Sequence, residues 1–369
     1  MIDVVKKEEC TGCGACYQLC PMNCIEMKPD EKGFLYPVIN TDKCIQCGKC
    51  DQVCPSLNKV VKVGNAVVPE VWAAWSLDKD IRYDSTSGGV FSEIALEILR
   101  HQGIVCGAKY NEKNMVEHCL IECKEELYKL RQSKYVQSDT RQVFTEIKRQ
   151  LDEEKQVLFC GTPCECAGLY NCLEKEYENL ICVDFICRGA NSPKVFELFL
   201  DKLENQYKSK VSRVWFKNKA LGWRRFSTRI EFANGEVYSE DRYSDAFIRG
   251  YIEANLYMRD CCEVCQYKTM PRIADITLGD FWGIKSEDVG MDTDLGTSLV
   301  MLNSEKGKYL YEQIKNRLFV NKRDFAEACR GNKCILEAPV FNRKREVFWQ
   351  DIDSMDIIQN IKRFCKERI

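Results

Sequence analysis

The chain has 369 residues and a nearly balanced charge, with 54 basic and 56 acidic side chains and a formal net charge of -2. This length allows two or three domains with a sizeable core, and the balanced charge gives no reason to expect a nucleic-acid partner. The amino terminus lacks the apolar run of a signal peptide, and no stretch approaches the roughly 18 apolar residues of a membrane helix. We therefore expect a soluble cytoplasmic protein that binds neither nucleic acid nor membrane.

Cysteine is unusually frequent, with 24 residues. In a small secreted protein this would indicate disulfides, but in a cytosolic chain of enzyme size it indicates metal. Two runs near the amino terminus, starting at Cys10 and Cys44, both read C-x2-C-x2-C-x3-C-P. This is the bacterial ferredoxin signature, in which the fourth cysteine of each run binds the other cluster. The predicted ligand sets are Cys10, Cys13, Cys16 and Cys54 for one [4Fe-4S] cluster, and Cys44, Cys47, Cys50 and Cys20 for the other.

Residues 1–60 thus resemble a ferredoxin module with two [4Fe-4S] clusters, in which Gly12, Gly14 and Gly48 allow tight turns. A structural zinc site is the alternative for these cysteines. Residues 61–69 have no helical periodicity and are predicted to form a linker.

The rest of the chain is too large to be an accessory to a ferredoxin. We expect a mixed α/β fold over residues 70–345, with βαβ units and a β-rich insertion, followed by a helical tail over 346–369.

Residues 84–101 begin with small polar residues and continue as an amphipathic helix, and a strand is predicted over 103–110. The loop Ser87-Gly88-Gly89 at the helix start could bind an anion, because free backbone N–H groups and the positive end of the helix dipole point outward. Alternatively, its glycines only allow close packing. The residues alone leave both readings open.

A buried strand followed by a loop and a helix is predicted twice in succession, over residues 157–173 and 180–207. Two such consecutive units predict neighbouring parallel strands joined by a right-handed crossover. Cys164 and Cys187 then lie just beyond the carboxyl ends of these strands, at the edge where open α/β sheets bind ligands. Cys164 also lies at a helix start, where the dipole favours a thiolate.

The β-rich insertion is predicted from strands over 211–217 and 225–232 and from a hairpin turn at Asn234-Gly235. The loop between the two strands carries basic residues beside a tryptophan and could attract an acidic substrate or partner, although a solvated basic loop is the simpler interpretation. These residues are Lys217, Lys219, Trp223, Arg224 and Arg225. A strand over 274–278 leads into Gly279-Asp280, and a helix is predicted over 304–319.

Cys262 and Cys265 have the C-x2-C spacing of a metal half-site, which needs two more thiolates. Most cysteines outside the ferredoxin runs lie in apolar or helical stretches, where a free cysteine is an ordinary small hydrophobe. Cys164 and Cys187 instead lie in glycine-flanked loops at the predicted ligand-binding edge. Together with the half-site they make a set of four thiolates.

Several segments in order along the large domain resemble the coenzyme F420 hydrogenase/dehydrogenase beta-subunit family. They are SGGVF at 87–91, SKYVQS at 133–138, GTPC-x2-AGL at 161–169, DFIC-x-G-x2-SP at 184–193, C-x2-C-x-YK at 262–268, DITLGDFWG at 275–283 and GTSLV-x-LN-x-EKG at 296–307. Known members of that family carry FAD beside a [4Fe-4S] cluster, and use either the deazaflavin coenzyme F420 or ferredoxin.

The resemblance implies FAD and a third [4Fe-4S] cluster in this chain. The implied cluster ligands are Cys164, Cys187, Cys262 and Cys265, and the candidate FAD contacts are Ser87, Gly88, Gly89, Ser133, Lys134, Tyr135, Gly161, Thr162, Gly279 and Asp280.

One position departs from the family pattern. Many members have C-H-G where this chain has Cys187-Arg188-Gly189, and arginine does not titrate near neutral pH, so no proton donor is expected there. The chain has two histidines, His101 and His118. We expect a solvated or capping role for both.

Together these observations predict an FAD-dependent iron–sulfur oxidoreductase that passes electrons between FAD, the third cluster and the ferredoxin clusters. The expected donor is ferredoxin or reduced coenzyme F420, and the substrate is unknown. NADH is not expected, because the chain lacks the G-x-G-x-x-G fingerprint. Two other classes remain: a non-catalytic electron-transfer subunit of a larger redox complex, and a ferredoxin fused to a zinc-stabilised scaffold.

Overall fold

The computed structural model describes residues 5–62, 64–284 and 294–367. The strands in this part of the chain are β1 (Ile25–Pro29), β2 (Leu35–Ile39), β3 (Glu70–Ser76), β4 (Ile104–Tyr110), β5 (Val116–Ile121), β6 (Val157–Gly161), β7 (Leu180–Phe185), β8 (Val211–Asn218), β9 (Ser227–Phe232), β10 (Val237–Asp241), β11 (Ile276–Asp280), β12 (Ser298–Leu302) and β13 (Leu318–Arg323). The α-helices are α1 (Ala15–Gln18), α2 (Lys49–Gln52), α3 (Lys79–Asp84), α4 (Val90–Arg100), α5 (Val143–Asp152), α6 (Pro163–Leu173), α7 (Pro193–Tyr207), α8 (Ala246–Ile252), α9 (Glu305–Ile314), α10 (Phe325–Gly331), α11 (Arg345–Gln350) and α12 (Ile357–Lys362).

The amino-terminal domain has one short helix in each cysteine run, α1 and α2, and a hairpin of β1 and β2 between the runs. Gly14 and Gly48 precede the two helices with φ values of 78° and 73°. These values lie in the left-handed region, which glycine adopts without steric strain. The tight turns expected at these glycines are therefore present.

A mixed eight-stranded sheet forms the centre of the large domain, in the order β13-β3-β12-β11-β7-β6-β4-β5. Strands β4, β6, β7 and β11 are parallel to one another, and the outer pairings are antiparallel. The parallel pairing of β6 with β7 confirms the arrangement predicted from the repeated strand-loop-helix plan. Because these four strands point the same way, their carboxyl ends share one side of the sheet, which we call the carboxyl edge.

The β-rich insertion is a three-stranded antiparallel sheet in the order β10-β9-β8, as the sequence predicts. Helix α4 buries its apolar face, including Ile94, Ala95 and Ile98, against the large sheet. The fold is therefore the expected mixed α/β architecture, with a ferredoxin-type domain, βαβ units, a β-rich insertion and a helical carboxyl-terminal tail.

The helix predicted over 304–319 is wrong at its carboxyl end. Helix α9 ends at Ile314, and Leu318 begins the edge strand β13, which pairs with β3. The cause is tertiary, because Phe319 stacks on Trp75 of β3 with ring centroids 4.0 Å apart. The tail consists of two short helices, α11 and α12, and the second begins where Asp356 caps it by accepting from the amide of Gln359 at 3.1 Å.

The segment predicted as a linker lies along the large domain. Asn65 donates to the carbonyls of Arg272 and Ala274 at 2.7 and 3.1 Å, and the amide of Ala66 donates to Asn303 at 2.7 Å. The domain boundary at 61–69 itself stays a prediction. None of the helices in the described part of the chain has the length and apolar character that crossing a bilayer requires.

Two buried carboxylates connect the central strands. Asp184 of β7 is fully buried and accepts from Arg272 at 2.7 Å and from the Thr277 hydroxyl of β11 at 2.5 Å. Asp275 accepts from the amide of Cys182 at 2.8 Å and from the hydroxyl of Ser304 at 2.6 Å. Both carboxylates lie in segments that carry the family resemblance, and their contacts give them a structural role.

The substitution Asp184→Asn should lower the stability of the chain by about 3–5 kcal/mol, because it leaves the buried charge of Arg272 without its partner. Thermal unfolding of the anaerobic protein measures this. The matched control is Glu176→Gln, which removes an ion pair with Lys62 at a side chain that is 81% exposed, where about 1 kcal/mol or less is expected. Equal melting temperatures for the two variants would contradict the structural role of Asp184.

Candidate iron–sulfur and flavin site

The two sets of ferredoxin cysteines surround two separate spaces. Cys10, Cys13, Cys16 and Cys54 line a cavity of about 400 Å³. Cys20, Cys44, Cys47 and Cys50 line a cavity of about 20 Å³. The structure thus places the fourth cysteine of each run with the first three of the other run, as the predicted sets require.

The chemistry of the first set fits a cluster. Burial raises the pKa of Cys13 to about 12, and it raises the pKa of Cys16 well above the usual value. Buried thiolates therefore need positive partners, and cluster iron would supply them. The second cavity is also lined by a fifth cysteine, Cys24, which the ferredoxin spacing does not predict as a ligand. Its sulfur lies 3.3 Å from that of Cys20.

The four cysteines of the third set lie near one another at the carboxyl edge. Burial raises the pKa of Cys164 well above its usual value, and the thiols of Cys187 and Cys265 add to the rise. Burial likewise raises the pKa of Cys187 to about 12, with contributions from Cys262 and Cys265. The third set thus combines a thiol from the first turn of α6, a thiol just after β7 and the two thiols of the half-site.

Local hydrogen bonds hold this third set. The hydroxyl of Thr162 lies 3.1 Å from the sulfur of Cys164, and the amide of Ala190 donates to the sulfur of Cys262 at 3.4 Å. Lys268 donates to the carbonyl of Cys187. In the described ranges no group of three or more His, Cys, Asp or Glu side chains forms a site for a single metal ion.

The first ferredoxin set lies against the large domain. Arg259 is fully buried, donates to the carbonyl of Cys10 at 2.7 Å and lies 3.9 Å from the ring centroid of Tyr36. The Thr140 hydroxyl donates to the carbonyl of Cys13 at 2.8 Å. By contrast, Cys47 of the second set is exposed. The sequence carries no local signal for Arg259 or Thr140, since both act across a domain contact.

The candidate FAD contacts near the start of α4 lie at the carboxyl edge, and several already have protein partners. The Ser87 hydroxyl donates to the carbonyl of Thr297 at 2.7 Å, and the amide of Gly88 donates to Ser298 at 2.9 Å. A Cβ at Gly88 would collide with the carbonyl of Ala74. Close packing therefore explains Gly88, whereas Gly89 has a φ of 90°, a backbone conformation that favours glycine.

The residues of the 133–135 segment lie beside this helix start. The Ser133 amide donates to the hydroxyl of Thr86 at 2.7 Å. Burial lowers the pKa of Lys134 to about 8, and its ammonium donates to the carbonyl of Arg131 at 2.8 Å. The ring of Tyr135 lies 5.4 Å from that of Tyr251.

The remaining candidate contacts follow β6 and β11. Thr162 caps α6 in a reciprocal capping box with Glu165, and Gly161 ends β6 one residue earlier. A Cβ at Gly279 would come within 2.7 Å of Ile186. Asp280 accepts from the indole of Trp223 at 2.8 Å and forms an ion pair with Lys217.

The interpretation of 217–225 as a solvated basic loop is wrong for Lys217, Lys219 and Trp223. Lys217 and Trp223 are each 1% exposed, because both bind the carboxylate of Asp280. Lys219 is also buried, and its ammonium donates to the carbonyls of Ser87 and Arg82 at 2.5 and 2.6 Å. The loop thus joins the β-rich insertion to the α4 start.

Four buried polar atoms in this region have no hydrogen-bond partner among the described residues. They are the hydroxyls of Tyr110 and Thr297, the indole nitrogen of Trp215 and Nε of Arg242. Buried polar groups are seldom left unpaired. These atoms, with the aromatic rings around them, fit a polar aromatic cofactor such as FAD.

The two histidines differ in their surroundings. His101 follows α4, is 65% exposed and lies 3.1 Å from Glu97, in line with the expected capping or solvated role. His118 contradicts that expectation, because it is buried, lies 2.7 Å from the Ser138 hydroxyl and stacks on Phe159.

Arg188, at the position that departs from the family pattern, donates to the carbonyl of Ile252 at 3.0 Å and to Asn255 at 2.8 Å. Its guanidinium is therefore held against the segment that follows α8.

A model of the 4Fe-4S dicluster domain matches residues 9–58. With the two cysteine sets described above, this makes the chain an iron–sulfur electron-transfer protein. Models described as coenzyme F420 hydrogenase/dehydrogenase, beta subunit, match residues 71–144 with the N-terminal part and 154–328 with the C terminus. Together these two models match more than half of the chain, which therefore belongs to the coenzyme F420 hydrogenase/dehydrogenase beta-subunit family.

No match was found among curated proteins. Among solved structures, the chain is similar to one from the F420-reducing [NiFe] hydrogenase complex of Methanosarcina barkeri, a structure concerned with its xenon derivatization. The two are 16% identical with a TM-score of 0.49, and the match covers 82% of this chain and 94% of that one.

Replacing Cys262 and Cys265 together by serine should remove about four of about 12 iron atoms per chain and leave the ferredoxin signals unchanged, because only the third set loses ligands. Iron and sulfide analysis with EPR of anaerobic protein measures this. Cys329→Ser, at a half-buried cysteine outside the three sets, is the control and should keep all the iron. About 8 iron with one zinc in the unaltered protein would favour a zinc scaffold instead.

Proposed function

We propose that this chain is an FAD-dependent iron–sulfur oxidoreductase. In this proposal Cys164, Cys187, Cys262 and Cys265 hold a third [4Fe-4S] cluster, and FAD binds beside it at the carboxyl edge. When bound, FAD would supply the conversion between two-electron and one-electron chemistry. Electrons would pass between the flavin and a reduced or oxidised partner through the third cluster and the two ferredoxin clusters.

The observation that carries this proposal is the position of the third thiol set. On one side of it, helix α6, which carries Cys164, brings Gly168 against the Cys13 sulfur of the first ferredoxin set. On the other side, Tyr251 donates to the carbonyl of Gly189 at 3.3 Å and its ring lies 5.4 Å from that of Tyr135 in the candidate flavin region. A cluster at this point would connect the two regions. A metal site with only a stabilising role would not need to lie next to both the first ferredoxin set and the flavin region.

The protein's own residues around the flavin region would bind and orient the cofactor. The ion pair of Lys217 with Asp280 fixes the end of β11, and the Trp223 indole stacks on Trp282 with ring centroids 4.7 Å apart. The ammonium of Lys268, which donates to the carbonyl of Cys187, would favour negative charge on the third set. We propose no proton donor at the position of Arg188.

We propose a redox partner such as ferredoxin, or reduced coenzyme F420, as the source of electrons. The exposure of Cys47 supports a protein carrier at the second ferredoxin set, because a one-electron carrier must come close to a cluster. The family membership supports coenzyme F420. The substrate is a small molecule or protein that the flavin region would reduce.

The second candidate function is a non-catalytic electron-transfer subunit of a larger redox complex. The similar chain from the F420-reducing hydrogenase comes from such a complex. A subunit of this kind would also use all three clusters. Turnover of the isolated chain with an artificial acceptor separates the two candidates.

The substitution Gly89→Asp should weaken FAD binding, because it places a carboxylate at the start of α4, where the negatively charged pyrophosphate would lie. Flavin binding is measured by anaerobic titration of the apoprotein with FAD. Gly89→Ala is the matched control, because it introduces the same Cβ at the same positive φ without charge. Equal FAD affinities for the two variants, with three clusters retained, would contradict this position for the cofactor.

Reduced ferredoxin should bleach the bound flavin through the clusters, and NADH should not, because no dinucleotide-binding fingerprint is present. Carriers near roughly -400 mV are strong enough reductants for a flavin. Anaerobic stopped-flow measures bleaching with reduced ferredoxin, reduced coenzyme F420 and NADH offered separately. A reaction with reduced coenzyme F420 alone would reverse the proposed direction, and one with NADH alone would contradict the proposed donors.

A further inference from the structure

Tyr267 lies between two of the three thiol sets. Its side chain is buried, with 4% of its surface exposed. It follows Cys265 of the third set by two residues, and one buried apolar cluster contains both its ring and Cys13 of the first ferredoxin set. The ring is therefore packed near both sets.

The protein is close-packed on both sides of this ring. Tyr267 and Cys13 are part of one buried apolar cluster, and Cys164 and Cys265 pack against it. Helix α6 carries Cys164 and, one turn later, Gly168, where a Cβ would come within 2.9 Å of the Cys13 sulfur. Residues one turn apart share a helix face. The same face of α6 thus reaches from the third set to the first.

Hydrogen bonds hold Tyr267 in place and tie its segment to the ferredoxin domain. The Gln266 side chain donates to the carbonyl of Pro55 at 3.0 Å and to the hydroxyl of Tyr267 at 3.3 Å. Arg272 donates to the backbone carbonyl of Tyr267 at 3.0 Å and is itself held by Asp184. The chain segment that carries the half-site is therefore tied to the end of the second cysteine run.

We propose that Tyr267 is the positioning residue that bridges the third cluster and the Cys10, Cys13, Cys16 and Cys54 cluster, so that electrons pass between these two before reaching the second ferredoxin cluster. This inference rests on the proposed function. In the step, one electron leaves a reduced cluster and enters an oxidised one. No bond is made or broken and no proton moves, because the ring serves as the medium for tunnelling and the phenol is not oxidised.

The proposal assigns the electron path to the aromatic ring of Tyr267 and not to its hydroxyl, and two substitutions separate these contributions. Tyr267→Phe keeps the ring and should transfer electrons at the unaltered rate. Tyr267→Leu opens a gap in the packed path and should slow the transfer by an order of magnitude or more. Tyr177→Leu is the control, because Tyr177 belongs to the same apolar cluster and bonds Asp152 at 2.6 Å, away from the thiols.

The measurement is rapid freeze-quench EPR after anaerobic mixing of oxidised holoprotein with reduced ferredoxin. In Tyr267→Leu the ferredoxin clusters should still be reduced at the unaltered rate, and only reduction of the third cluster should be delayed. Iron content and the cluster midpoint potentials should not change, as they would if the ring had only a structural role. An unaltered third-cluster rate in Tyr267→Leu, or a rate in Tyr267→Phe as slow as in Tyr267→Leu, would overturn the inference.

A second measurement does not depend on the Tyr267 variants. In fully reduced unaltered protein, the EPR signal of the third cluster should be split or broadened by the first ferredoxin cluster more than by the second. Replacing Cys47 by serine perturbs only the second cluster and identifies its contribution. Stronger coupling to the second cluster would overturn the bridge. A preparation without a third cluster would instead contradict the proposed function.

Discussion

The buried guanidinium of Arg259 is the contact on which the arrangement of the redox centres depends. It bonds the backbone of Cys10 and lies over Tyr36 of the ferredoxin domain, while its own segment continues into Cys262 and Cys265. A buried charge is stable only when it is fully bonded, and arginine suits such a position because its planar group both donates and stacks. One residue therefore fixes the first ferredoxin set and the half-site relative to each other.

The dicluster domain and the central parallel strands could be predicted from the sequence because their signals are local, whereas the ligand sets themselves stay a prediction. Ligand spacing in the runs at Cys10 and Cys44 and the repeated plan at 157–207 depend on neighbouring residues only. The positions of Cys164 and Cys187 followed from the direction of two strands. In these parts of the site, residues that are close in sequence determine the local structure.

Other features depend on contacts between distant segments, and the sequence was a poor guide to them. From its sequence neighbours, Lys217 is expected at the surface. It is buried because Asp280, which is distant in sequence, forms an ion pair with it. His118 looks solvated because its sequence neighbours are charged, yet β5 turns it toward Phe159 and Ser138. The 304–319 helix was too long for the same reason, since pairing with β3 outweighs the local preference of Leu318 and the residues after it.

The exposure of Cys47 and the burial of Tyr267 have a consequence for how this protein can change over time. The surface that a carrier would meet belongs to the small domain, whereas the residues around the flavin region belong to the large one. Substitutions around the exposed second cysteine set can alter the choice of carrier without disturbing the contacts of Asp280 or Arg259. Under the proposed function, evolution could therefore exchange the supplier of electrons without altering the flavin region of the large sheet.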